Sequence, residues 1–324
     1  MKIETNQNLQ ILSVFDGISC GQLALRRAGI HFDQYYASEI NKHAIKVTST
    51  NFPNTIQLGD VTKVEAKNLP KIDILIGGSP CTGFSPAGKL KNFNDPQSKL
   101  FFEYVRLLKE CQPKYFLLEN VKMKQEYQDV ISDILKVKPI FINSSLFSSQ
   151  SRQRLYWSNI PNIIVNQKNS STIQDILEPN VDPKYYLTNN YTSKTVMTGE
   201  SRLDVLKKNY RKIHKIHSDK PVLVSQILDI PTQVSKVKSK QLDRLYSSKS
   251  KSPTLTVLSA DGLKIDCGTD DPTKWRTLTP VECERLQTIQ DNYTSCISDS
   301  QRYKCLGNCW TVDVVAHILS FIPK

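Results

Sequence analysis

Short β-rich runs alternate with stretches of helical periodicity along roughly the first 160 residues of this 324-residue chain. Residues 10–15 and 35–38 read as strands, and the intervening residues 21–29 read as a helix closed by a glycine. Between Ser98 and Cys111 the apolar side chains recur at the spacing of one helix face. Repeated β-α units form a parallel sheet with ligands at the carboxyl ends of its strands. The sequence therefore predicts an α/β fold with a doubly wound, Rossmann-like sheet.

The character of the sequence changes after Pro161, where apolar periodicity weakens and Lys and Ser become more frequent. Residues 178–188 contain two prolines and look like a connection between domains. Periodicity returns near the carboxyl end, where Thr279 is an N-cap signal, followed by Pro280 and by Glu282 three residues after the cap. We therefore expect a second, smaller domain after the α/β domain.

Positive charge is concentrated in one segment. The net charge is +12, and residues 201–251 carry 13 Lys or Arg against four Asp. Such a segment is either a solvated surface or the footprint of a polyanion, because phosphate contacts need clustered Lys and Arg. Basicity alone does not separate DNA from RNA or from an acidic protein.

Several classes of protein are disfavoured by what the sequence lacks. No apolar stretch approaches the roughly 20 residues of a membrane span, and the first ten residues contain no apolar core of a secretory signal. The eight cysteines form no CxxC pair, and neither Cys305 nor Cys309 has a His or carboxylate cluster beside it. We expect a cytoplasmic protein with reduced thiols, no membrane association and no metal.

The first three strand ends carry the residues of a nucleoside site. The first strand ends in "FDGISCG", Glu39 follows the second strand and Asp60 follows the third. A carboxylate at the second strand end can accept both ribose hydroxyls. The loop lacks the GxGxxG pattern of a dinucleotide site, so a nucleoside without phosphates fits better, and S-adenosylmethionine is the common one. The alternative is merely a tight turn between strand and helix.

The next two strand ends are "GGSPC" and "LLENV". In a doubly wound sheet we expect Cys81 and Glu119 to face one crevice, although a buried structural cysteine is the usual alternative. The nearby segment "QSRQR", with Gln150, Arg152 and Arg154, suggests an anion or a developing negative charge close to the sheet edge.

These motifs occur together in one known family. The chain resembles a DNA (cytosine-5)-methyltransferase of bacterial or phage type through "FDGISCG", "SE", "GD", "GGSPCTGFS", "LLENV", "QSRQRLYW", "RTLTPVECERLQ" and "GNCWTVDVVAHI", in the family's order. The resemblance implies a class I methyltransferase sheet in residues 1–184, completed by 303–324. It also implies a target-recognition domain in 185–302, including a hinge segment at 276–289.

The resemblance implies covalent catalysis on a base flipped out of double-stranded DNA. Cys81 would attack carbon 6 of cytosine, Glu119 would hold N3 and the 4-amino group, and Arg152 would bond the base carbonyl. Arg154 joins this catalytic set. The implied DNA contacts are Ser85, Lys207, Lys208, Arg211 and Lys212.

S-adenosylmethionine is the implied cofactor and S-adenosylhomocysteine the product. The implied cofactor contacts are Phe15, Asp16, Gly17, Ile18, Glu39, Ile40, Asp60, Val61, Pro80, Asn308 and Trp310. Departures from the family pattern occur at Ser19-Cys20, at Thr82 and at Cys309. We expect a monomer that serves restriction–modification or protects phage DNA. The alternatives are a transfer RNA cytosine-5 methyltransferase and a DNA-binding relative that has lost catalysis.

Overall fold

The computed structural model describes residues 9–80, 96–186, 245–256, 263–268 and 274–323. These residues cluster into two compact units. The first, called the sheet unit here, contains the described residues of 1–143, 153–166 and 309–324, and the second unit contains those of 144–152 and 167–308. The predicted domain limits at residues 184 and 303 stay a prediction.

A seven-stranded sheet organises the sheet unit, with the order β3-β2-β1-β4-β5-β7-β6. Its strands are β1 (Gln10–Val14), β2 (Gln34–Ser38), β3 (Ile56–Gln57), β4 (Ile74–Gly77), β5 (Tyr115–Val121), β6 (Ile140–Asn143) and β7 (Gln153–Ser158). Strands β1 to β5 pair in parallel, which confirms the predicted α/β, doubly wound fold. Strand β7 runs antiparallel to both β5 and β6.

Five helices of the described residues belong to the sheet unit: α1 (Cys20–Arg27), α2 (Lys42–Asn51), α3 (Pro96–Cys111), α4 (Gln125–Leu135) and, with numbering along the chain, α7 (Val312–Leu319). The apolar face predicted between residues 98 and 111 is the buried face of α3, where Phe101, Tyr104 and Leu107 are fully buried. Each such side chain contributes about 1.5–3 kcal/mol by leaving water. These side chains share one core cluster with Leu75 of β4 and Leu118 of β5.

The second unit contains a small sheet of β8 (Leu245–Tyr246), β9 (Lys264–Ile265) and β10 (Arg276–Thr277), with α5 (Pro280–Leu286) and α6 (Asp299–Asn308). Helix α5 begins with the predicted capping box, in which Thr279 and Glu282 bond each other's backbone. Glu282 also pairs with Arg276, whose Nη1 lies 2.7 Å from Oε2. Within the described residues, no helix has the length and apolar character to cross a bilayer.

Candidate cofactor and catalytic site

The turn after β1 has an unusual backbone. Phe15 and Ser19 have φ angles of 59° and 58°, in the left-handed region that non-glycine residues rarely adopt. Gly17 shares this region, with φ of 61°, and a Cβ added there would meet no atom within 4 Å. The turn therefore presents backbone with open space beside it. Strain of this kind persists where the surroundings hold it and is common at ligand sites.

Asp16 is held inside this turn by hydroxyl groups. It is 8% exposed, Tyr35 donates a 2.7 Å hydrogen bond to Oδ1, and Ser19 Oγ donates to Oδ2. Burial raises the pKa of Asp16 to about 6, although these hydrogen bonds oppose the rise. Ser19 Oγ also accepts from Gln22 Nε2 at 3.1 Å. The Ser19 departure thus adds a hydroxyl that fixes the turn.

Glu39 ties the ends of β1 and β2 together. Its carboxylate accepts three backbone N–H bonds of 2.8 Å, from Gly17 on Oε2 and from Ile40 and Asn41 on Oε1. A carboxylate has about four acceptor positions, so Glu39 keeps capacity for a ligand hydroxyl. The predicted partners Gly17 and Glu39 are brought together by a direct bond.

Ile40 is exposed and Asp60 is partly exposed, close to the ends of β2 and β3. Ile40 is 76% exposed, a large apolar surface that an aromatic ring could cover. Thr62 donates to Asp60 Oδ1 through its amide at 3.0 Å and its hydroxyl at 2.9 Å, which lowers the pKa of Asp60. Asp60 therefore carries a fixed charge, while Ile18 and Val61 are buried supports.

The turn after β4 is anchored by a contact that the sequence did not predict. Asn120 in β5 is 1% exposed, and its Nδ2 donates to Ser79 Oγ at 3.2 Å. Asn120 Oδ1 accepts from the Val121 amide at 2.8 Å, so the amide group is fixed in orientation. This contact holds the chain directly before Pro80. The polar residue inside the apolar run of β5 is visible in the sequence, but its partner Ser79 is not.

Glu119 shares a small cluster with Arg154 and Trp310. Arg154 Nε lies 2.8 Å from Glu119 Oε1, and both side chains are mostly buried. A Cβ added to Gly78 would lie 2.9 Å from Trp310 Nε1 and 3.1 Å from Glu119 Oε2. Glycine at position 78 therefore lets both side chains close over the backbone. Residues from four separate motifs meet at this point.

Arg152 and Asn308 belong to the second unit. The Arg152 side chain is buried and donates from Nη1 to the Leu255 carbonyl at 2.8 Å and to the Gly307 carbonyl at 3.4 Å. Asn308 ends α6 and is exposed. Gln150 has a fully buried amide. Cys81, Thr82, Ser85, Lys207, Lys208, Arg211 and Lys212 lie outside the described residues.

A family match accounts for these motifs. A sequence profile described as "C-5 cytosine-specific DNA methylase" matches residues 9–324. The chain belongs to the C-5 cytosine-specific DNA methylases. Among relatives of this family, "Orphan methyltransferase M.SPRI" of Bacillus phage SPR is 29% identical over 306 residues, which cover 79% of this chain and 66% of that protein.

One further sequence relative and one solved structure extend the likeness. "Type II methyltransferase M.HhaI" of Haemophilus parahaemolyticus is 27% identical, covering 96% of this chain and 93% of that protein. The solved structure of Entamoeba histolytica methyltransferase EhMeth has a TM-score of 0.70 at 19% identity and covers 97% of this chain and 98% of that one. The likeness to EhMeth shows a shared fold. The chain spans slightly under two thirds of the length of M.SPRI.

The strand-end residues fit the nucleoside cofactor expected of a C-5 cytosine-specific DNA methylase. Gly17 offers backbone with open space, Glu39 keeps acceptor capacity, and Ile40 offers an uncovered apolar surface. Asp60 adds a charged carboxylate that could accept from an exocyclic amine. These groups suit a nucleoside without a pyrophosphate.

Proposed function

We propose that this protein transfers the methyl group of S-adenosylmethionine to carbon 5 of cytosine in double-stranded DNA. The observation that carries the proposal is the cluster of Glu119, Arg154, Trp310 and Gly78. Gly78 lies three positions before Cys81 in the sequence. The cluster combines a carboxylate, a guanidinium and an aromatic ring beside the turn of the "GGSPC" motif. Family membership supports the same reaction.

Cys81 is the proposed nucleophile. Its thiolate adds to carbon 6 of cytosine, and the electrons of the C5–C6 double bond move onto the ring, which makes carbon 5 nucleophilic. Bound S-adenosylmethionine supplies the methyl group as an electrophile to carbon 5. The carbon 5 proton then leaves to a base, and its bonding electrons restore the double bond and expel the thiolate.

Glu119 and Arg154 are the proposed groups that hold the base. Glu119 would bond N3 and the 4-amino group, so that charge arising during the attack is neutralised. Because Arg154 already contacts Glu119 at 2.8 Å, we assign it a hydrogen bond to the base carbonyl. The resemblance gives that role to Arg152, which we retain as a second candidate on the grounds of its motif.

The cofactor pocket is proposed from the strand ends. Phe15, Asp16, Gly17 and Ile18 would line the methionine part, and Glu39 would accept from the ribose. Ile40, Asp60 and Val61 would surround the adenine, and the remaining contacts would come from Pro80, Asn308 and Trp310. Ser85 and the basic residues Lys207, Lys208, Arg211 and Lys212 are proposed DNA contacts. No metal is required by this chemistry.

For its biological role we propose restriction–modification or protection of phage DNA, in the cytoplasm and as a monomer. The names of its bacterial and phage relatives support this role. The target base lies stacked in a duplex, so it must be flipped out at a cost of a few kcal/mol. A basic segment that grips phosphates would offset part of that cost.

The test is a methyl-transfer assay with two nucleic acids. Purified protein is incubated with labelled S-adenosylmethionine and either genomic DNA from an unmethylated strain or transfer RNA, and modified cytosines are mapped by base conversion. We expect 5-methylcytosine in DNA at one short sequence. Label confined to RNA would favour the alternative substrate, and DNA binding without label would favour a relative that has lost catalysis. A Cys81→Ala variant is the matched control.

A further inference from the structure

Lys251 is a buried lysine that the proposed reaction does not use. It is 2% exposed, although it lies at the end of the basic segment 201–251. Its Nζ lies 3.0 Å from each of three oxygens, those of the Ser148 carbonyl, the Asn169 carbonyl and Asn169 Oδ1. Burying an ammonium group costs several kcal/mol unless its partners are well placed. A side chain enclosed in this way does not serve as a phosphate contact on the surface.

The contacts of Lys251 begin a ladder between two segments of the second unit. Next to Lys251, Ser252 donates its amide to the Ser149 carbonyl and accepts from the Ser151 amide, both at 2.7 Å. Thr254 Oγ1 donates to the Ser151 carbonyl at 2.8 Å. Residues 251–254 thus run in register along residues 148–151.

The last rung of this ladder is Arg152. Its Nη1 donates to the carbonyl of Leu255 at 2.8 Å, and its amide donates to Ser144 Oγ at 3.1 Å. The ammonium of Lys251 therefore fixes one end of a pairing whose other end fixes a guanidinium of the "QSRQR" motif. A neutral side chain of similar length, such as Met, could fill the same volume but could not donate to the three oxygens.

We propose that Lys251 is a positioning residue that acts through Arg152, the second candidate for the bond to the base carbonyl, by holding segment 148–152 in register with segment 251–255. This inference rests on the proposed methyl transfer. It predicts that loss of the ammonium group changes turnover while leaving cofactor binding intact, because the proposed ribose and adenine contacts lie in the sheet unit.

The test compares Lys251→Met with Lys184→Met. Lys184 is an exposed lysine of the same unit, and its Nζ lies 3.2 Å from Asp299 Oδ2. An exposed pair contributes little to stability, so Lys184→Met should match the wild type. For Lys251→Met we expect kcat to fall at least about tenfold, with unchanged dissociation constants for S-adenosylmethionine and DNA, on the ground that positioning acts on the transition state.

Hydrogen exchange gives a readout that does not depend on activity. We expect the Ser151 and Arg152 amides to exchange faster in Lys251→Met than in Lys184→Met, since the ladder is weakened. If the wild type transfers no methyl group, the proposed function fails, and this exchange result still decides the ladder. Should Lys251→Met fail to fold, Asn169→Ala removes one acceptor and should shift both readouts in the same direction.

Two results would overturn the inference. One is wild-type kcat together with wild-type exchange at residues 151 and 152 in Lys251→Met. The other is weaker DNA binding at unchanged kcat, which would make Lys251 a phosphate contact. A positioning residue and a phosphate contact are therefore distinguished by whether Lys251→Met lowers kcat or weakens DNA binding.

Discussion

At the scale of single residues, the carboxylates of the sheet unit differ in what surrounds them. Asp16 is enclosed by hydroxyl groups and has a pKa raised to about 6 by burial. Asp60 is more open, and hydrogen bonds from Thr62 lower its pKa. Glu39 accepts hydrogen bonds from three backbone amides. Asp16 therefore mainly organises the turn, whereas Asp60 and Glu39 have charge or acceptor capacity for a ligand.

Glu119→Gln tests the carboxylate proposed to hold the base. The substitution keeps the shape and one acceptor oxygen, but it removes the charge that Arg154 contacts and the acidic proton that could neutralise N3 of the base. We expect kcat for DNA methylation to fall by about 10²- to 10⁴-fold in steady-state assays. Glu103→Gln, which removes a half-buried pair with Arg106 on α3 that the proposed reaction does not use, should leave kcat near the wild-type value. Equal rates in the two variants would contradict the assignment.

Asp16 should make stability depend on pH in a defined direction. The folded form keeps the Asp16 proton up to a pH of about 6, whereas the unfolded form releases it near the ordinary value of 3.8. Ionising the buried carboxyl in the folded protein is unfavourable. The contribution of Asp16 to the free energy of unfolding therefore decreases as the pH rises from about 4 to about 6. The upper limit of this loss is about 3 kcal/mol.

Urea denaturation of the wild type and of Asp16→Asn between pH 4 and pH 7 measures this contribution. The difference between the two curves should fall through that window and then level off. Asp33→Asn, at an exposed position of the same unit, should follow the wild type. A difference that is flat, or that rises with pH, would show that Asp16 ionises without penalty.

Glu39, Asp60 and Glu119 could be predicted as site carboxylates because each lies at or close after the end of a strand-like run of residues. The bond between Asn120 and Ser79, and the burial of Lys251, could not be predicted in the same way. Both depend on the register between segments that are distant in sequence, and periodicity within one segment contains no information about that register.

At the scale of elements, the turn after β4 depends on the absence of a side chain at position 78. In Gly78→Ala the new Cβ would displace Trp310 and Glu119, since it would lie 2.9 Å and 3.1 Å from their atoms. Overpacking costs about 1–3 kcal/mol, which a domain of this size tolerates. We expect kcat to fall at least about tenfold in a folded protein, as measured by methyl transfer and thermal unfolding.

Gly29→Ala provides the contrasting variant. Gly29 has φ of 69° with no atom within 4 Å of an added Cβ, so alanine there is strained but displaces nothing. It should lose about 1 kcal/mol of stability and keep kcat. If both variants lost stability but neither lost activity, Gly78 would have no role in placing Trp310 and Glu119.

Helices could be predicted from residues that lie close together in the sequence. The capping box of α5 and the apolar face of α3 were both visible in the sequence, because helix caps and helix faces depend on residues three or four positions apart. The antiparallel direction of β7 was not visible, since alternating strands and helices predict only parallel neighbours. Pairing direction is decided by the path of the chain between strands.

At the scale of the whole molecule, positive charge is unevenly distributed along the chain. Residues 201–251 contain 13 of the 43 Lys and Arg residues, which supports a DNA footprint there. Neutralising Lys207, Lys208, Arg211 and Lys212 together should weaken DNA binding and reduce its salt dependence, because fewer counterions are released. The slope of log affinity against log salt should become shallower by up to about 3–4.

Four exposed lysines of the sheet unit provide the control for that variant: Lys46, Lys109, Lys136 and Lys138. Their neutralisation changes the net charge by the same amount. We expect a smaller loss of affinity and a smaller change in slope, measured by fluorescence anisotropy over a salt series. Identical effects in the two sets would mean that only net charge matters.

The central claim is that the thiolate of Cys81 forms a bond to carbon 6 of cytosine. DNA with 5-fluorocytosine at the mapped target base, incubated with the protein and S-adenosylmethionine, tests it directly, because fluorine cannot leave as the proton does. We expect a complex that survives denaturation, with the DNA attached to the peptide containing Cys81 by mass spectrometry. Methylation of ordinary DNA without any such adduct, or an adduct on another cysteine, would contradict the claim.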